Sequence, residues 1–230
     1  MVQLKQTSDR RPRVDEIFDY LHNEIGSMRL KPGDRISEAD IAAKFGVSRQ
    51  PVRDAFSRLE SLDLLLIRPQ RATEVRKFST REIEKSRFVR AAVEKEVLDL
   101  AARRCDAAGA AVLDDCIAGQ RNVIAERNFE AFGNLDYAFH QALCKIAEVE
   151  FAFDVISVEK AKVDRLCTLG LARLDRMPPL LKDHETIAEA VKAHDSKAAV
   201  AAGILHLSRL DSTIDLISAE HSNYFEQEQD

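Results

Sequence analysis

The chain contains no tryptophan, only eight glycines and only six prolines among its 230 residues. Because glycine and proline most often interrupt helices, their scarcity favours a helical protein over a turn-rich β fold. No apolar run is long enough to cross a bilayer, and the polar, basic N-terminus lacks the apolar core of a signal peptide. We therefore expect a cytoplasmic protein with no membrane partner.

Cysteine is also scarce, and no two cysteines form a CxxC pair, so a zinc-finger spacing is excluded. Each cysteine lies beside apolar residues at helical spacing, which is typical of reduced core residues in a cytosolic protein. The four are Cys105, Cys116, Cys144 and Cys167.

A positive net charge is absent too: the chain carries −5 at pH 7, which by itself argues against a nucleic-acid partner. The charges are unevenly distributed, however. Residues 1–79 carry fifteen Lys and Arg against twelve Asp and Glu, whereas residues 80–230 carry nineteen against twenty-seven. A mildly basic front joined to an acidic remainder indicates a DNA-binding domain attached to a second domain.

Within the basic part, two short helices are predicted around a tight turn. Ser37 stands at an N-cap position, and Gly46 ends the apolar repeat that follows it. Ser48 can cap the next helix, and Pro51 is tolerated in its first turn because N–H groups there have no partner within the helix. This is the pattern of a helix-turn-helix.

The second predicted helix presents basic residues at its N-terminal end. Its apolar stripe faces the core, which leaves Arg49, Gln50 and Arg53 exposed, with the two arginines one turn apart on a shared face. An arginine there can grip guanine O6 and N7 in the major groove. Two arginines alone would favour an ordinary solvated surface, but the glycine turn, the caps and the following hairpin favour DNA.

The hairpin consists of two β-prone runs, 64–68 and 73–77, separated by a tip at 69–72. Together with the preceding helices it resembles the winged helix of the GntR family of bacterial transcription regulators. The resemblance rests on the sequence GVSRQPVR at 46–53, on an acidic residue followed by Ile-Ala at 40–42, and on Arg-Leu-Glu at 58–60.

The resemblance implies roles for five residues of this domain. Arg49 and Arg53 are expected to read bases, Ser48 and Gln50 to contact phosphates or bases, and Arg71 to contact DNA from the wing. Two positions depart from the family pattern. Ala39 stands where many relatives carry a basic residue that contacts DNA, and Ala72 replaces the usual glycine at the tip of the wing.

Helical periodicity dominates the rest of the chain. It predicts six helices over 80–104, 107–127, 129–147, 150–169, 180–193 and 196–220, with a break at the consecutive prolines 178 and 179. The fold class is accordingly mainly α, with an N-terminal winged helix-turn-helix at 1–78 and a C-terminal antiparallel helical bundle at 79–222. Residues 223–230 are expected to form a disordered acidic tail.

Four residues of the predicted bundle can supply metal ligands. Asp136 and His140 lie four apart on one helix, and His184 and His206 lie on the apolar sides of two others. One carboxylate and three imidazoles suit Zn²⁺, Ni²⁺ or Fe²⁺ and leave coordination positions free for a small molecule. From spacing alone, unrelated core or surface histidines are the commoner explanation.

A second resemblance supports the metal site. An all-helical domain after a GntR winged helix, with Asp-x-x-x-His at 136–140, His-Glu at 184–185 and His-Leu at 206–207, resembles the FCD ligand-binding domain of the FadR subfamily. It implies a divalent metal ion as cofactor, a small organic acid as effector and a homodimer on a near-palindromic double-stranded operator.

Arg90 and Glu94 match the Arg-x-x-Leu-Glu near the start of such domains. The arginine can face the cavity and bind a carboxylate with both arms of its guanidinium, so the pair is a candidate effector site. An ordinary surface ion pair between residues four apart is an equally good explanation.

The sequence therefore predicts a DNA-binding transcription regulator, a repressor, that a small carboxylate bound at a metal-containing pocket releases or modulates. The main alternative is a metal sensor in which the ion is the signal. An enzyme is disfavoured because no general base is evident beyond the ligands, and no catalytic residue is expected. A structural DNA-binding protein with an incidental pocket is the remaining alternative.

Overall fold

The structure is a computed structural model that describes residues 10–174 and 176–227. Its contacts divide the described chain into two compact units. The first contains the residues up to Ser79 together with those from His221 onward, and the second contains Thr80–Glu220. Within the described residues, no helix is long and apolar enough to span a membrane.

The first unit combines three helices with a three-stranded antiparallel sheet in which the third strand lies between the other two. The first strand, of only two residues, was not predicted from the sequence, because its pairing partner lies nearly forty residues further along the chain. The elements are α1 (Arg10–Gly26), β1 (Arg35–Ile36), α2 (Glu38–Phe45), α3 (Arg49–Ser61), β2 (Leu65–Leu66) and β3 (Thr73–Val75).

The turn between α2 and α3 follows the predicted chemistry except at Ser48. The Ser37 hydroxyl accepts hydrogen bonds from the amides of residues 39 and 40, and Gly46 ends α2 with a φ of 62°. Ser48 occupies the N-cap position of α3, but its side chain makes no capping hydrogen bond. Its usual donors are the second and third amides of the helix, and here the third residue is Pro51, which has no N–H.

The expected disorder of residues 223–230 does not extend to the described residues up to 227. Tyr224 and Phe225 are buried in the first unit. The Phe78 amide donates to the Tyr224 carbonyl at 2.8 Å, and the Glu226 amide donates to the Phe78 carbonyl at 2.8 Å. The acidic composition of this segment did not reveal that the Phe225 ring packs beside Phe78. Residues 228–230 lie outside the described residues.

The second unit has six helices in its described part, as the periodicity predicted. The last-but-one helix begins at Met177 rather than at residue 180, because Pro178 and Pro179 fall in its first turn, where a missing N–H costs no intrahelical bond. The six are α4 (Thr80–Arg104), α5 (Ala107–Ala125), α6 (Phe129–Ile146), α7 (Phe151–Leu174), α8 (Met177–Lys192) and α9 (Ser196–Glu220).

Helices α4 and α9 lie very close together. At Gly203, a Cβ atom built on the backbone would lie 2.1 Å from the Cδ1 of Leu98, and both residues are buried. Glycine therefore permits the close approach by which α9 brings its buried polar face, including His206, toward α4 and α6.

Candidate metal centre and DNA-binding surface

Four polar side chains from three helices meet inside the second unit. Asp136 and His140 come from α6, His184 from α8 and His206 from α9, and the four candidate ligand atoms all lie within 4.8 Å of one another. Atoms that bind one ion at about 2.1 Å can be no more than about 4.2 Å apart. A small contraction is enough for these side chains to hold one ion.

The histidine rings are buried and close together. The centroids of His184 and His206 are 4.6 Å apart, and that of His140 lies 5.4 Å from His206. The side chain of Phe139 stacks on the His184 ring at 4.4 Å and so fixes its plane. Helix α6 thus supplies two candidate ligands, Asp136 and His140, and also Phe139, which orients the candidate ligand His184.

Hydrogen bonds fix the tautomers of two rings. The Nδ1–H of His140 donates to Glu94 Oε2 at 2.9 Å, and that of His184 donates to Gln120 Oε1 at 2.8 Å. The amide of Gln120 is oriented in turn by its nitrogen, which donates to the Leu135 carbonyl at 3.3 Å. Both rings therefore present the lone pair of Nε2.

Neither of these Nε2 lone pairs accepts a hydrogen bond from a described residue. The Nε2 atoms of His140 and His184 are buried and have no hydrogen-bond partner among the described residues. A buried acceptor without a partner costs about 1–3 kcal/mol. A cation bound between these two nitrogens and the Asp136 carboxylate would remove that cost. The donor set therefore fits a divalent metal ion on chemical grounds.

The Asp136 carboxylate is shared between the histidines and a buried lysine. Its Oδ1 lies 3.4 Å from His184 Nε2, and its Oδ2 lies 3.2 Å from Lys160 Nζ. Burial disfavours the charged carboxylate, but the Lys160 ammonium and the imidazoles outweigh it and hold the pKa of Asp136 well below its usual range. Lys160 also contacts Asp164 at 2.9 Å.

Burial alone raises the pKa of a carboxyl group but lowers the pKa of an imidazole. It lowers the pKa of His184 and of His206 below the ordinary value, so both rings are neutral near pH 7. Neutral imidazoles and an ionised carboxylate are the protonation states that metal coordination requires.

The structure shows the geometry of the Arg90–Glu94 pair, which lies in the middle of α4. The Nε of Arg90 donates to Glu94 Oε1 at 2.8 Å, so the four-residue pairing is real, but both side chains are buried rather than on the surface. Burial disfavours the charged Glu94, yet Arg90 and His140 hold its pKa well below the usual range. Glu94 therefore links the arginine to a candidate ligand.

Sequence reasoning missed several polar residues of this cluster. Lys160 and Gln120 contact it directly, and Asp183 lies 3.8 Å from His206 Nδ1 while it accepts two hydrogen bonds from Arg209. The spacing of Lys160 and Asp164 was a visible signal, but a Lys-Asp pair four apart is more often on a helix surface.

The recognition-helix candidates lie on the surface of the first unit. Ser48, Arg49, Gln50 and Arg53 are all exposed at the N-terminal end of α3, whereas the apolar stripe of that helix is buried. The helix N-terminus and the exposed arginines make this end suitable for contact with phosphates and base edges.

The wing places Arg71 at an exposed tip. The neighbouring Arg68 is held by Glu74 at 2.8 Å, and the Arg71 amide closes the turn on the Arg68 carbonyl at 3.2 Å. The left-handed residue of the described tip is Gln70, with a φ of 58°, and Ala72 does not have a positive φ. The absent glycine is therefore tolerated because the turn places its left-handed residue two positions earlier.

Comparisons with known proteins assign both units. The pattern described as bacterial regulatory proteins, gntR family, matches residues 13–75, and the FCD domain pattern matches residues 87–209. The chain belongs to the GntR family. As a member with an FCD domain, it is a transcription regulator whose winged unit binds DNA.

Relatives cover nearly the whole chain. It is 32% identical over 223 residues to the HTH-type transcriptional repressor RspR of Escherichia coli K12, an alignment covering 97% of this chain and 98% of RspR. It is 25% identical over 225 residues to the HTH-type transcriptional regulator LutR of Bacillus subtilis, covering 88% and 98%. The solved structure of E. coli McbR/YncC shares the fold, with a TM-score of 0.68, 17% identity and coverage of 96% and 100%.

Proposed function

We propose that this GntR-family regulator is a repressor whose FCD domain holds a divalent metal ion, zinc, nickel or iron, and through it binds a small organic acid that controls DNA binding. The observation that carries the proposal is the pair of buried, unpartnered Nε2 atoms of His140 and His184 beside the ionised Asp136. With His206 they are the residues that would hold the ion.

The ion would act as a Lewis acid for the carboxylate and hydroxyl oxygens of the effector. The protein's own residues do the rest. Glu94 and Gln120 orient the rings, Lys160 keeps Asp136 ionised, and Arg90 contributes a positive charge that offsets the charge of the acid.

The proposal extends to the DNA surface. Arg49 and Arg53 read bases, Ser48 and Gln50 contact phosphates or bases, and Arg71 contacts DNA from the wing. A single winged helix makes few base contacts, so a homodimer on a near-palindromic operator is needed for affinity. Effector binding shifts the dimer between arrangements that do and do not fit the operator, by no more than its differential affinity for them.

An exposed apolar face of the second unit suits the dimer. Phe151, Val155 and Val158 recur every three or four residues along α7 and are 73%, 42% and 60% exposed. The Ser86 hydroxyl of α4 donates to the Glu159 carbonyl of α7, so the two helices are adjacent there. Phe88 of α4 is also 77% exposed. A second copy of the chain is the occupant we assign to this face.

A thermal-shift experiment tests the metal and effector assignments. The metal-free protein is loaded with Zn²⁺, Ni²⁺ or Fe²⁺ and screened against small carboxylates and sugar acids, beside His140→Ala and the surface control His22→Ala. We expect an ion at a hundred times its Kd to stabilise the wild type and the control by about 2.7 kcal/mol, with no comparable stabilisation in His140→Ala.

The outcomes separate the alternatives. An acid that stabilises only the metal-loaded wild type supports the metal-anchored effector. Stabilisation and a change in DNA affinity by the metal alone would favour a metal sensor instead. If no ion shifts the melting curve, the metal assignment is wrong.

A further inference from the structure

An ion pair joins the two helices of the helix-turn-helix. The Nε of Arg53, in α3, donates to Glu38 Oε2, in the first turn of α2, at 2.9 Å. The Arg53 side chain remains 55% exposed and the Glu38 side chain 31% exposed. The guanidinium is therefore held at one nitrogen while the rest of it stays accessible from solvent.

The neighbouring arginine is held differently. Within the described residues, Arg49 makes no ion pair, although it is one turn away on the same helix and is also exposed. The structure thus distinguishes two arginines that the sequence presents as equivalent: Arg53 is paired with Glu38, and Arg49 has no ion pair within the described residues.

Because Glu38 accepts from the Nε of Arg53, this pair determines which N–H groups of the guanidinium remain available to a base. Recognition of guanine through O6 and N7 needs two donors on one edge of the guanidinium. A carboxylate on Nε leaves the two terminal nitrogens as that edge and restricts rotation of the plane, so less side-chain entropy is lost on binding. Phosphate contacts do not need such orientation.

The negative charge of Glu38 also favours specific over non-specific binding. A carboxylate at the DNA-facing end of the motif repels phosphates and so weakens binding to any sequence. A residue that lowers non-specific binding and orients a base reader raises the ratio of specific to non-specific affinity on both counts.

We propose that Glu38 is a positioning residue for sequence recognition, which orients the Arg53 guanidinium for one guanine of the operator and suppresses non-specific binding. This inference rests on the proposed role of Arg53 as a base reader. Arg49, which lacks a carboxylate partner, contributes mainly to affinity and less to discrimination.

The test uses the full-length protein and duplexes selected by it from a randomised DNA pool. Dissociation constants are measured by fluorescence anisotropy, at one salt concentration, for the selected consensus and for every single-base-pair variant. Four proteins are compared: wild type, Glu38→Gln, Arg53→Ala and the control Asp40→Asn. Asp40 lies in the same first turn of α2 and is exposed, so its substitution removes an equal charge without touching Arg53.

We expect Arg53→Ala to lose discrimination at one base pair by roughly fivefold to a hundredfold, the range of a good bidentate contact. Glu38→Gln should lose a substantial part of it, at least about threefold, at the same base pair while binding random duplex more tightly. Asp40→Asn should also bind random duplex more tightly but keep the full discrimination. In an Arg53→Lys background, Glu38→Gln should change discrimination no further.

Two negative results have different meanings. If Arg53→Ala leaves every base preference unchanged, or if no consensus emerges from the selection, the base-reading part of the proposed function is wrong. If Arg53→Ala removes the base preference at one operator position but Glu38→Gln keeps it as Asp40→Asn does, Arg53 reads the base without help. The positioning role of Glu38 is then overturned.

Discussion

Glu94 connects an arginine to a candidate metal ligand inside the buried cluster. Its two carboxylate oxygens serve different partners, one bound to Arg90 Nε and the other to His140 Nδ1. Such a partner fixes the tautomer of a metal-binding histidine and increases its basicity. The sequence motif that suggested an effector contact therefore also contains the residue that prepares a candidate ligand.

Substitution of Glu94 by glutamine should weaken metal binding by about ten- to a hundredfold, because the neutral amide holds His140 less firmly. It should also destabilise the metal-free protein by about 3–5 kcal/mol, since Arg90 is left buried without its counter-charge. Competition with a chromophoric chelator measures the first effect and urea unfolding the second. Glu96→Gln, on the exposed side of the same helix, should leave metal affinity unchanged; equal affinities for the two variants would contradict the assignment.

At the scale of elements, the packing of α9 on α4 depends on a residue without a side chain. Gly203 lies in the interior of a helix, where glycine costs about 0.5–1 kcal/mol relative to alanine, so its presence needs a packing reason. The 2.1 Å separation between its built Cβ and Leu98 Cδ1 supplies that reason. Gly133, in α6, has no atom within 4 Å of the corresponding point.

Alanine at these two glycines should have opposite effects on stability. Gly203→Ala should lower the free energy of unfolding by about 1–3 kcal/mol, because buried Leu98 must leave its position in a filled core. Gly133→Ala should raise it by about 0.5–1 kcal/mol, because alanine favours the helix and meets no obstacle. Chemical denaturation of both variants gives the comparison, and a stabilising Gly203→Ala would show that α4 and α9 can separate at little cost.

For the whole molecule, the proposed dimer would link the exposed apolar face on α7 to operator binding. An apolar patch on a soluble protein commonly marks an interface with another protein. In a regulator with one recognition helix per chain, an interface between two copies also brings a second half-site into use. Under the proposed function, dimerisation through the second unit would therefore set how strongly the first unit binds DNA.

Val158→Glu should produce a monomer, because a charge in the centre of an apolar interface is left without a partner on association. We expect light scattering to give about half the wild-type mass, and operator affinity to fall sharply while circular dichroism stays the same. Ala198→Glu, at the exposed start of α9, adds the same charge elsewhere and should remain dimeric. A dimeric Val158→Glu would mean that another surface mediates association.

The sequence by itself determined the helices and the turn of the DNA-binding motif. Periodic apolar residues, the Ser37 cap and the left-handed Gly46 act within one or two turns of the chain, so their effects can be read locally. The same local logic brought Asp136 and His140 to one face of α6. It also identified the family, because the motif around 46–53 is contiguous.

Only the tertiary structure decided which distant groups meet. Strand β1 exists because it pairs with β3, and Phe225 is ordered because it lies against Phe78. Lys160 is an ordinary helical lysine in sequence, yet the packing of α7 on α4 and α6 buries it against Asp136. The pairing of Glu38 with Arg53 likewise depends on how α2 meets α3. Electrostatics and hydrogen bonding act over a few ångströms in space, and separation along the chain does not reveal those distances.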